Sequence, residues 1–144
     1  MPIGSSIKNQ TKLVIDASVA VKLFSEESGT KEMESLLGRC FEGKVELYAP
    51  DLLIYEVANA LYKGVKLDAN KITAAIETLY NSPIQFFSPE KLLATSAVSL
   101  MVRHNITFYD AAYAALARVL HVPLLSADMK GHKKIESVEF VELS

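Results

Sequence analysis

The sequence predicts a single α/β domain organised around a mainly parallel sheet, and three observations support that prediction. Short apolar runs that are typical of buried strands alternate along the chain with longer segments of helical periodicity. The length of 144 residues suits one domain with a substantial core. Half of the residues are hydrophobic and 22% are charged, which is typical of a folded globular chain rather than a disordered one.

The first predicted elements follow a polar lead-in over residues 1–11, which we expect to be flexible. Residues 12–16 are apolar apart from their ends and predict a buried strand, and residues 18–24 have the length of a helical turn or two. Residues 30–41 carry apolar side chains at helical spacing, and a glycine follows that ends this helix. Residues 45–49 alternate between the two faces and predict a second strand.

A helical hairpin and a third strand are expected next. Pro50 is expected to start a helix that runs to Gly64, because proline is favoured in the first helical turn. Residues 67–80 predict a second helix with Asp68 as its N-cap. Residues 84–87 then predict a third strand.

The remaining elements are two helices and two strands. Ser88 is expected to cap a long helix with Pro89 at its first position. Residues 109–121 predict an alanine-rich helix, and residues 124–126 and 138–141 predict two further strands. Because helices separate the strands, the strands are expected to be parallel.

The bulk properties indicate one soluble, cytoplasmic domain over residues 12–144. The net charge of −2 gives no overall basic field that would attract nucleic acid. The lone cysteine, Cys40, excludes an internal disulfide and suits a reducing compartment, where we expect it to be buried. No run approaches the roughly 18 apolar residues of a membrane span, and no signal-peptide pattern is present at the start.

Four acidic residues stand in surroundings that are otherwise apolar: Asp16, Glu56, Asp110 and Asp128. A carboxylate at the border of a core is costly unless its charge is compensated. Asp16 and Asp128 follow predicted strands, and Asp110 opens a predicted helix. Ligands bind to parallel sheets at the carboxyl ends of the strands, so these acids can meet in one crevice. Glu56, about two turns into its helix, can reach the same crevice.

A divalent cation is the common explanation that we favour. Hard cations such as Mg²⁺ and Mn²⁺ prefer oxygen ligands, and His104, His121 and His132 lack close metal-ligand spacing. Without metal, converging carboxylates would repel one another and some of their pKa values would rise. A metal held in this way suits the hydrolysis of phosphate esters, because it lowers the pKa of a bound water.

Each acid also has a simpler explanation. Asp110 alone is equally well explained as a helix N-cap or first-turn acid, and Asp128 alone as a turn residue. Asp16 and Glu56 are harder to explain in this way, because their neighbours are so apolar. Taken together, the four acids favour a common site.

The segments LVIDASVAV, APDLLIYEVANAL, TFYDAAYAALA and PLLSAD occur in this order along the chain. In that order they resemble the PIN-domain ribonucleases, particularly the VapC-type toxins of toxin–antitoxin pairs, from residue 12 to residue 141. The resemblance implies a three-layer α/β/α sandwich and a Mg²⁺- or Mn²⁺-dependent endoribonuclease. It also implies that Asp16 and Asp110 bind the metal directly or through water. Glu56 would complete the ligand set or orient the attacking water, and Asp128 would support a second metal.

Three polar residues are expected to support the acids. Ser18 follows Asp16 by two residues, where the family often has Ser or Thr near the metal; as an alternative it is a helix N-cap. Ser126 matches the family's small hydroxyl residue before the last acid, although we favour simple hydrogen bonding at a strand end. Asn59, one turn beyond Glu56, would hold a carboxylate or contact RNA, or would simply be a polar helix edge.

The sequence departs from the family pattern after Asp128. Many relatives have a further acidic or Asn residue there, whereas this chain continues DMKGHKKI, which puts a second metal in doubt. The same stretch holds the best basic cluster of the chain: Lys130, His132, Lys133 and Lys134. These side chains would bind RNA phosphates, with a solvated turn as the slightly favoured alternative.

The resemblance implies three partners: an RNA substrate, an antitoxin protein that covers the cleft, and a second copy in a homodimer. Two alternatives are an RNA-processing PIN nuclease without antitoxin and a non-catalytic PIN-like module that binds RNA or protein. The four intact acids argue against the second. A receiver domain is disfavoured because residues 84–87 are followed by Ser-Pro, and a haloacid-dehalogenase-type phosphatase because position 18 is serine.

Overall fold

The computed structural model describes residues 7–128, 135 and 138–143. Among these residues one sheet contains the strands β1 (Lys12–Ile15), β2 (Glu46–Pro50), β3 (Gln85–Phe87), β4 (Leu124–Ser126) and β5 (Phe140–Glu142). Their order across the sheet is β3-β2-β1-β4-β5, and each neighbouring pair is parallel. The predicted α/β class with a parallel sheet is confirmed.

Helices connect these strands, as the alternating pattern predicted. They are α1 (Ala17–Ala20), α2 (Thr30–Phe41), α3 (Leu52–Ala60), α4 (Ala69–Asn81), α5 (Lys91–His104) and α6 (Phe108–Leu120). A 3₁₀ helix (Val21–Phe24) continues α1, and a π-helical segment (Leu61–Val65) continues α3. The α2 bounds are those predicted from sequence. The predicted N-cap of α4 is also confirmed, because the Asp68 carboxylate accepts a hydrogen bond from the Lys71 N–H at 2.9 Å.

The strand order gives the sheet a topological switch point between β1 and β4. The chain builds outward from β1 through β2 to β3, and then returns to the other side of β1 to add β4 and β5. Loops at the carboxyl ends of β1 and β4 therefore diverge, and such a divergence is where open parallel sheets bind ligands. Asp16 and Asp128 lie in these two loops.

The core lies where the central strand meets the last long helix. Leu13, Val14 and Ile15 of β1 are fully buried, as expected for a central strand of a parallel sheet whose faces are covered by the connecting helices. Helix α6 packs against β1 and β2 with a face made largely of buried alanines. Small side chains let the helix approach the sheet closely, which brings the first turn of α6 next to the switch point.

Two predicted helix starts were wrong, and both involve proline. Pro50 ends β2 rather than starting α3; it pairs in register with Phe87 and lies beyond the last β1 partner of this strand, Tyr48. Proline has no backbone N–H to donate, and this is tolerated at Pro50 because β1 no longer pairs with β2 at that position. Ser88 and its neighbouring proline precede α5, which begins at Lys91. The Ser88 hydroxyl donates instead to the Asp51 carboxylate at 2.6 Å and ties the ends of β2 and β3 together.

Two further expectations can be compared with the described residues. Cys40 is buried, as predicted. Within residues 7–128, 135 and 138–143, no helix is long and apolar enough to cross a membrane.

Candidate active site

Asp16 follows β1 directly and is held by hydrogen bonds on both carboxylate oxygens. Ser18 Oγ donates to Oδ1 at 2.5 Å, and Ser126 Oγ donates to Oδ2 at 2.6 Å. The Val19 N–H also approaches Oδ1 at 3.3 Å, so Asp16 is at the same time the N-cap of α1. Only 5% of the residue is exposed. A carboxylate so buried is stabilised by these charge-assisted hydrogen bonds, which also restrict its orientation.

The two serines connect the loops after β1 and β4. Ser126 is fully buried and accepts the Asp128 N–H at 2.9 Å while it donates to Asp16. Ser18 Oγ accepts the Ala127 N–H at 2.9 Å. The alternative of a helix N-cap for Ser18 is wrong, because Asp16 caps α1. Strand-end hydrogen bonding describes Ser126 correctly, and its acceptor is the carboxylate of Asp16.

Glu56 lies on α3, is half-buried, and accepts a hydrogen bond from the Tyr113 hydroxyl at 2.5 Å. The pKa of Glu56 is raised above its ordinary value, chiefly because burial removes water from the carboxylate. The Tyr113 hydrogen bond opposes that rise in pKa, whereas the charges of Asp110 and Asp16 add to it. Two of the other predicted acids, Asp16 and Asp110, therefore lie within electrostatic range of Glu56.

Asp110 is the third residue of α6 and is half-buried. The helix N-cap is Thr107, whose Oγ1 accepts the Asp110 N–H at 3.0 Å. The N-cap explanation for Asp110 is therefore wrong, although a first-turn acid does complement the positive end of the helix dipole. Its carboxylate lies close enough to Glu56 and Tyr113 to raise the pKa values of both.

Tyr113 is a site residue that the sequence reasoning missed. It is 2% exposed, lies one turn after Asp110 on α6 and donates its hydroxyl proton to Glu56. Burial and the nearby carboxylates raise the pKa of the Tyr113 hydroxyl, so it remains a donor at physiological pH. A helical face that carries Asp110 also carries the residue three positions later, and this spacing was the available signal.

Asp128 and Asn59 differ from the three converging acids. Asp128 is exposed, and its backbone N–H rather than its carboxylate makes the hydrogen bond to Ser126. Asn59 is exposed on α3, one turn beyond Glu56. The basic cluster predicted at Lys130, His132, Lys133 and Lys134 lies outside the described residues.

The donor set at the crevice suits a hard divalent cation. Carboxylates and hydroxyls are oxygen ligands, and Asp16, Glu56 and Asp110 come from three different elements. In the described part of the chain, no three His, Cys, Asp or Glu side chains lie close enough together to hold a metal ion as they stand. Asp16 and Glu56 are instead held by the hydroxyls of Ser18, Ser126 and Tyr113. Burial chiefly, and the charges of Asp110 and Asp16 in addition, raise the pKa of Glu56, and a cation would compensate the negative charge of these oxygen donors, so their chemistry fits the group.

An apolar groove of about 310 Å³ is formed by α3, α5 and α6 together with the ends of β2 and β3. Tyr55, next to Glu56, and Tyr109, next to Asp110, both line it. Tyr55 is 72% exposed and Tyr109 is 59% exposed. Large exposed aromatic residues beside an apolar groove are typical of a contact surface for another molecule.

Comparison with known proteins identifies the family. The PIN-domain family model matches residues 13–137. Ribonuclease VapC3 of Pyrobaculum aerophilum is 32% identical over 135 residues, which span 88% of this chain and 97% of that protein. Ribonuclease VapC1 of Mycobacterium tuberculosis is 37% identical over 86 residues, 57% of this chain and 62% of the relative.

Solved structures agree in fold at low sequence identity. The crystal structure of PAE2754 from Pyrobaculum aerophilum is 21% identical, with a TM-score of 0.66 over 93% of this chain and 92% of that one. DNA-bound VapBC from Salmonella typhimurium is 11% identical, with a TM-score of 0.71 over 94% of this chain and 100% of that one. These likenesses support the parallel-sheet architecture.

Proposed function

The chain belongs to the PIN-domain family and, within it, to the VapC ribonucleases, and from that premise we propose that it is a metal-dependent endoribonuclease. Its substrate would be the phosphodiester backbone of RNA, and its cofactor Mg²⁺ or Mn²⁺. The observation that supports the proposal is that the charges of Asp16, which follows β1 at the switch point, and of Asp110 both act on Glu56.

The chain's own residues would prepare this site before substrate binds. Hydrogen bonds from Ser18 and Ser126 hold the Asp16 carboxylate in one orientation, so little order has to be created when a cation arrives. Asp110 supplies a second carboxylate from the first turn of α6. When bound, a divalent cation supplies a water of lowered pKa and neutralises charge on the phosphoryl oxygens.

Glu56 has the properties of a residue that completes the ligand set of the cation and orients the attacking water. Its carboxylate is half-buried, its pKa is raised by burial and by the neighbouring acids, and a raised pKa makes a carboxylate a better proton acceptor. Asp128, which is exposed, would contribute outer contacts or support a second cation. Asn59 is proposed to contact RNA or a carboxylate at the edge of α3.

Two macromolecular contacts are part of the proposal. Solved neighbours of this fold include a toxin–antitoxin complex from Klebsiella pneumoniae, and we propose that an antitoxin covers the crevice of this chain in the same cellular role. Lys130, Lys133 and Lys134 would bind RNA phosphates close to Asp128. The protein would act in the cytoplasm, where its substrate is found.

A homodimer is proposed on the basis of the family, with the groove between α3, α5 and α6 as its contact surface. The Tyr55→Glu substitution should reduce the dimeric mass measured by light scattering, because it places a charge in that groove. Tyr62→Glu is the matched control, since Tyr62 is 66% exposed and is not part of the groove lining. An equal mass for both variants and the wild type would argue for a different surface.

The catalytic proposal is tested with purified protein and a fluorescent RNA of mixed sequence. We expect cleavage with Mn²⁺, no cleavage with EDTA, and no cleavage by the Asp16→Asn variant with an unchanged circular dichroism spectrum. Expression of the wild type, but not of that variant, should arrest growth unless the antitoxin is co-expressed. Metal-independent cleavage, or equal cleavage by wild type and variant, would refute the assignment of Asp16.

The same experiment separates the alternative functions. A non-catalytic module would bind the RNA without cutting it. An RNA-processing nuclease would cut it without arresting growth, and no short reading frame for an antitoxin would lie beside its gene.

A further inference from the structure

The Tyr113 hydroxyl is buried among the carboxylates of the candidate site and joins two of the helices that build it. Tyr113 lies on α6, and its hydrogen-bond acceptor, Glu56 Oε1, lies on α3 at a distance of 2.5 Å. Among the described residues, these side chains provide the direct polar link between the two helices. The tyrosine also lies within electrostatic range of Asp16 and Asp110.

The buried hydroxyl of Tyr113 needs a hydrogen-bond partner, and this partner is Glu56. Leaving the hydroxyl unpaired would cost about 1–3 kcal/mol, so Tyr113 and Glu56 orient each other. The hydroxyl contributes a single proton and engages one carboxylate oxygen, Oε1. The hydrogen bond therefore restricts the orientation of the Glu56 carboxylate, and its donor lies one turn after Asp110 on the same helix.

We propose that Tyr113 is a positioning residue that fixes the Glu56 carboxylate for cation binding. The inference rests on the proposed metal-dependent function and adds a residue to it. Tyr113 acts through Glu56 and does not itself bind the cation. Outer hydrogen-bond partners of this kind typically change metal affinity by about 10- to 100-fold when they are removed.

The chain contains a natural control for this inference. Tyr48 is also buried and also donates its hydroxyl to a glutamate, Glu46 Oε1, at 2.9 Å. Glu46 begins β2, so this pair lies towards the amino ends of the strands, away from the crevice at their carboxyl ends. The Tyr→Phe change therefore removes the same atom and the same kind of hydrogen bond in both places.

The experiment compares wild type, Tyr113→Phe, Tyr48→Phe and Asp16→Asn by calorimetric titration with Mn²⁺ in the absence of RNA. We expect Tyr113→Phe to weaken Mn²⁺ binding by about 10-fold, the lower end for an outer partner. Tyr48→Phe should bind like the wild type. The rise in melting temperature that Mn²⁺ induces should likewise be smaller in Tyr113→Phe than in the wild type, and unchanged in Tyr48→Phe. In RNA cleavage, Tyr113→Phe should need more Mn²⁺ and recover most of its rate at saturating metal.

A double-mutant cycle with Glu56→Gln identifies the route of the effect. If Tyr113 acts through the Glu56 carboxylate, Tyr113→Phe should weaken Mn²⁺ binding much less in the Glu56→Gln background than in the wild type. An equal loss in both backgrounds would overturn the inference. Unchanged Mn²⁺ affinity in Tyr113→Phe would overturn it too, and so would a variant that fails to fold, because the hydroxyl would then be structural.

The control proteins distinguish a failure of this inference from a failure of the proposed metal-dependent function. A wild type that binds Mn²⁺ no better than Asp16→Asn would refute the metal site itself, and the positioning role with it. A wild type that binds Mn²⁺ together with an unaffected Tyr113→Phe would refute only the role of Tyr113.

Discussion

Asp16 and Asp128 occupy equivalent places in the topology but differ in almost every physical respect. Each follows a strand of the same parallel pair, β1 and β4, at the same edge of the sheet. Asp16 is 5% exposed and accepts hydrogen bonds on both carboxylate oxygens. Asp128 is exposed, and its contact with Ser126 runs through its backbone.

The difference shows that two aspartates at equivalent strand ends need not be held equally. Hydrogen bonds from Ser18 and Ser126 restrict the orientation of the Asp16 carboxylate, and such outer partners preorganise a carboxylate for cation binding where it serves as a ligand. Asp128 keeps its side-chain entropy and its hydration. We therefore expect the two aspartates to contribute very unequally to activity.

The largest expected effect is the loss of activity on substitution of Asp16, compared with the same substitution of Asp128. Asp16→Asn should lower Mn²⁺-dependent RNA cleavage by at least about 100-fold, the upper range for loss of an outer partner alone. Asp128→Asn should lower it by less than about 10-fold by the same scale. Initial rates at saturating Mn²⁺ for the two variants test this ranking, and similar losses for both would mean that Asp128 is an equal ligand.

Ser126→Ala should leave the Asp16 carboxylate less firmly held, and so more like that of Asp128. The change removes a buried donor to Asp16 and an acceptor for the Asp128 N–H. We expect Mn²⁺ affinity to fall by about 10-fold and the free energy of unfolding to fall by about 1–3 kcal/mol. Urea denaturation and Mn²⁺ titration measure the two effects. Ser96→Ala, on α5, is a serine-to-alanine control outside the site, and an equal effect there would contradict the prediction.

Glu56→Gln tests whether the ionised carboxylate of Glu56 destabilises the folded protein, an effect that we do not expect from the exposed carboxylate of Asp128. The folded protein raises the pKa of Glu56, so the carboxylate opposes folding, and this cost appears as pH rises through the folded pKa. In metal-free protein at neutral pH, Glu56→Gln should raise the melting temperature by about 2–4 °C. The gain should shrink towards acidic pH, where the wild-type side chain is protonated. Asp128→Asn should change the free energy of unfolding by no more than about 0.5 kcal/mol. If the rise in melting temperature of Glu56→Gln were the same at every pH, ionisation of Glu56 would not be its cause.

The smallest effect concerns the chain just beyond Asp128. Lys133→Glu with Lys134→Glu should weaken RNA binding several-fold at low salt, and the difference should narrow at high salt because exposed charges are screened. Fluorescence anisotropy with the inactive Asp16→Asn protein measures binding without cleavage. Unchanged binding at low salt would return this stretch to the interpretation of a solvated turn.

Local sequence was enough to predict elements whose signals lie within a few residues. The amphipathic spacing over residues 30–41 predicted α2, and Asp68 was recognised as the cap of α4 because the N–H that it accepts, that of Lys71, is only three residues away. Pro50 and Ser88 misled for the opposite reason, since their partners, Phe87 and Asp51, are distant in sequence. Ser88 has the chemistry of a helix cap, but Asp51, which is distant in sequence, takes its hydroxyl.

The sequence by itself determined the fold class and the oxygen-rich chemistry of the site. Hydrophobic periodicity is a local property, and four acids in apolar surroundings are visible without coordinates. Only the tertiary structure decided which acids converge, because convergence depends on the strand order β3-β2-β1-β4-β5. It also added Tyr113 and gave Ser126 its partner, since a hydrogen bond between residues 57 or 110 positions apart exists only after the helices and strands have packed together.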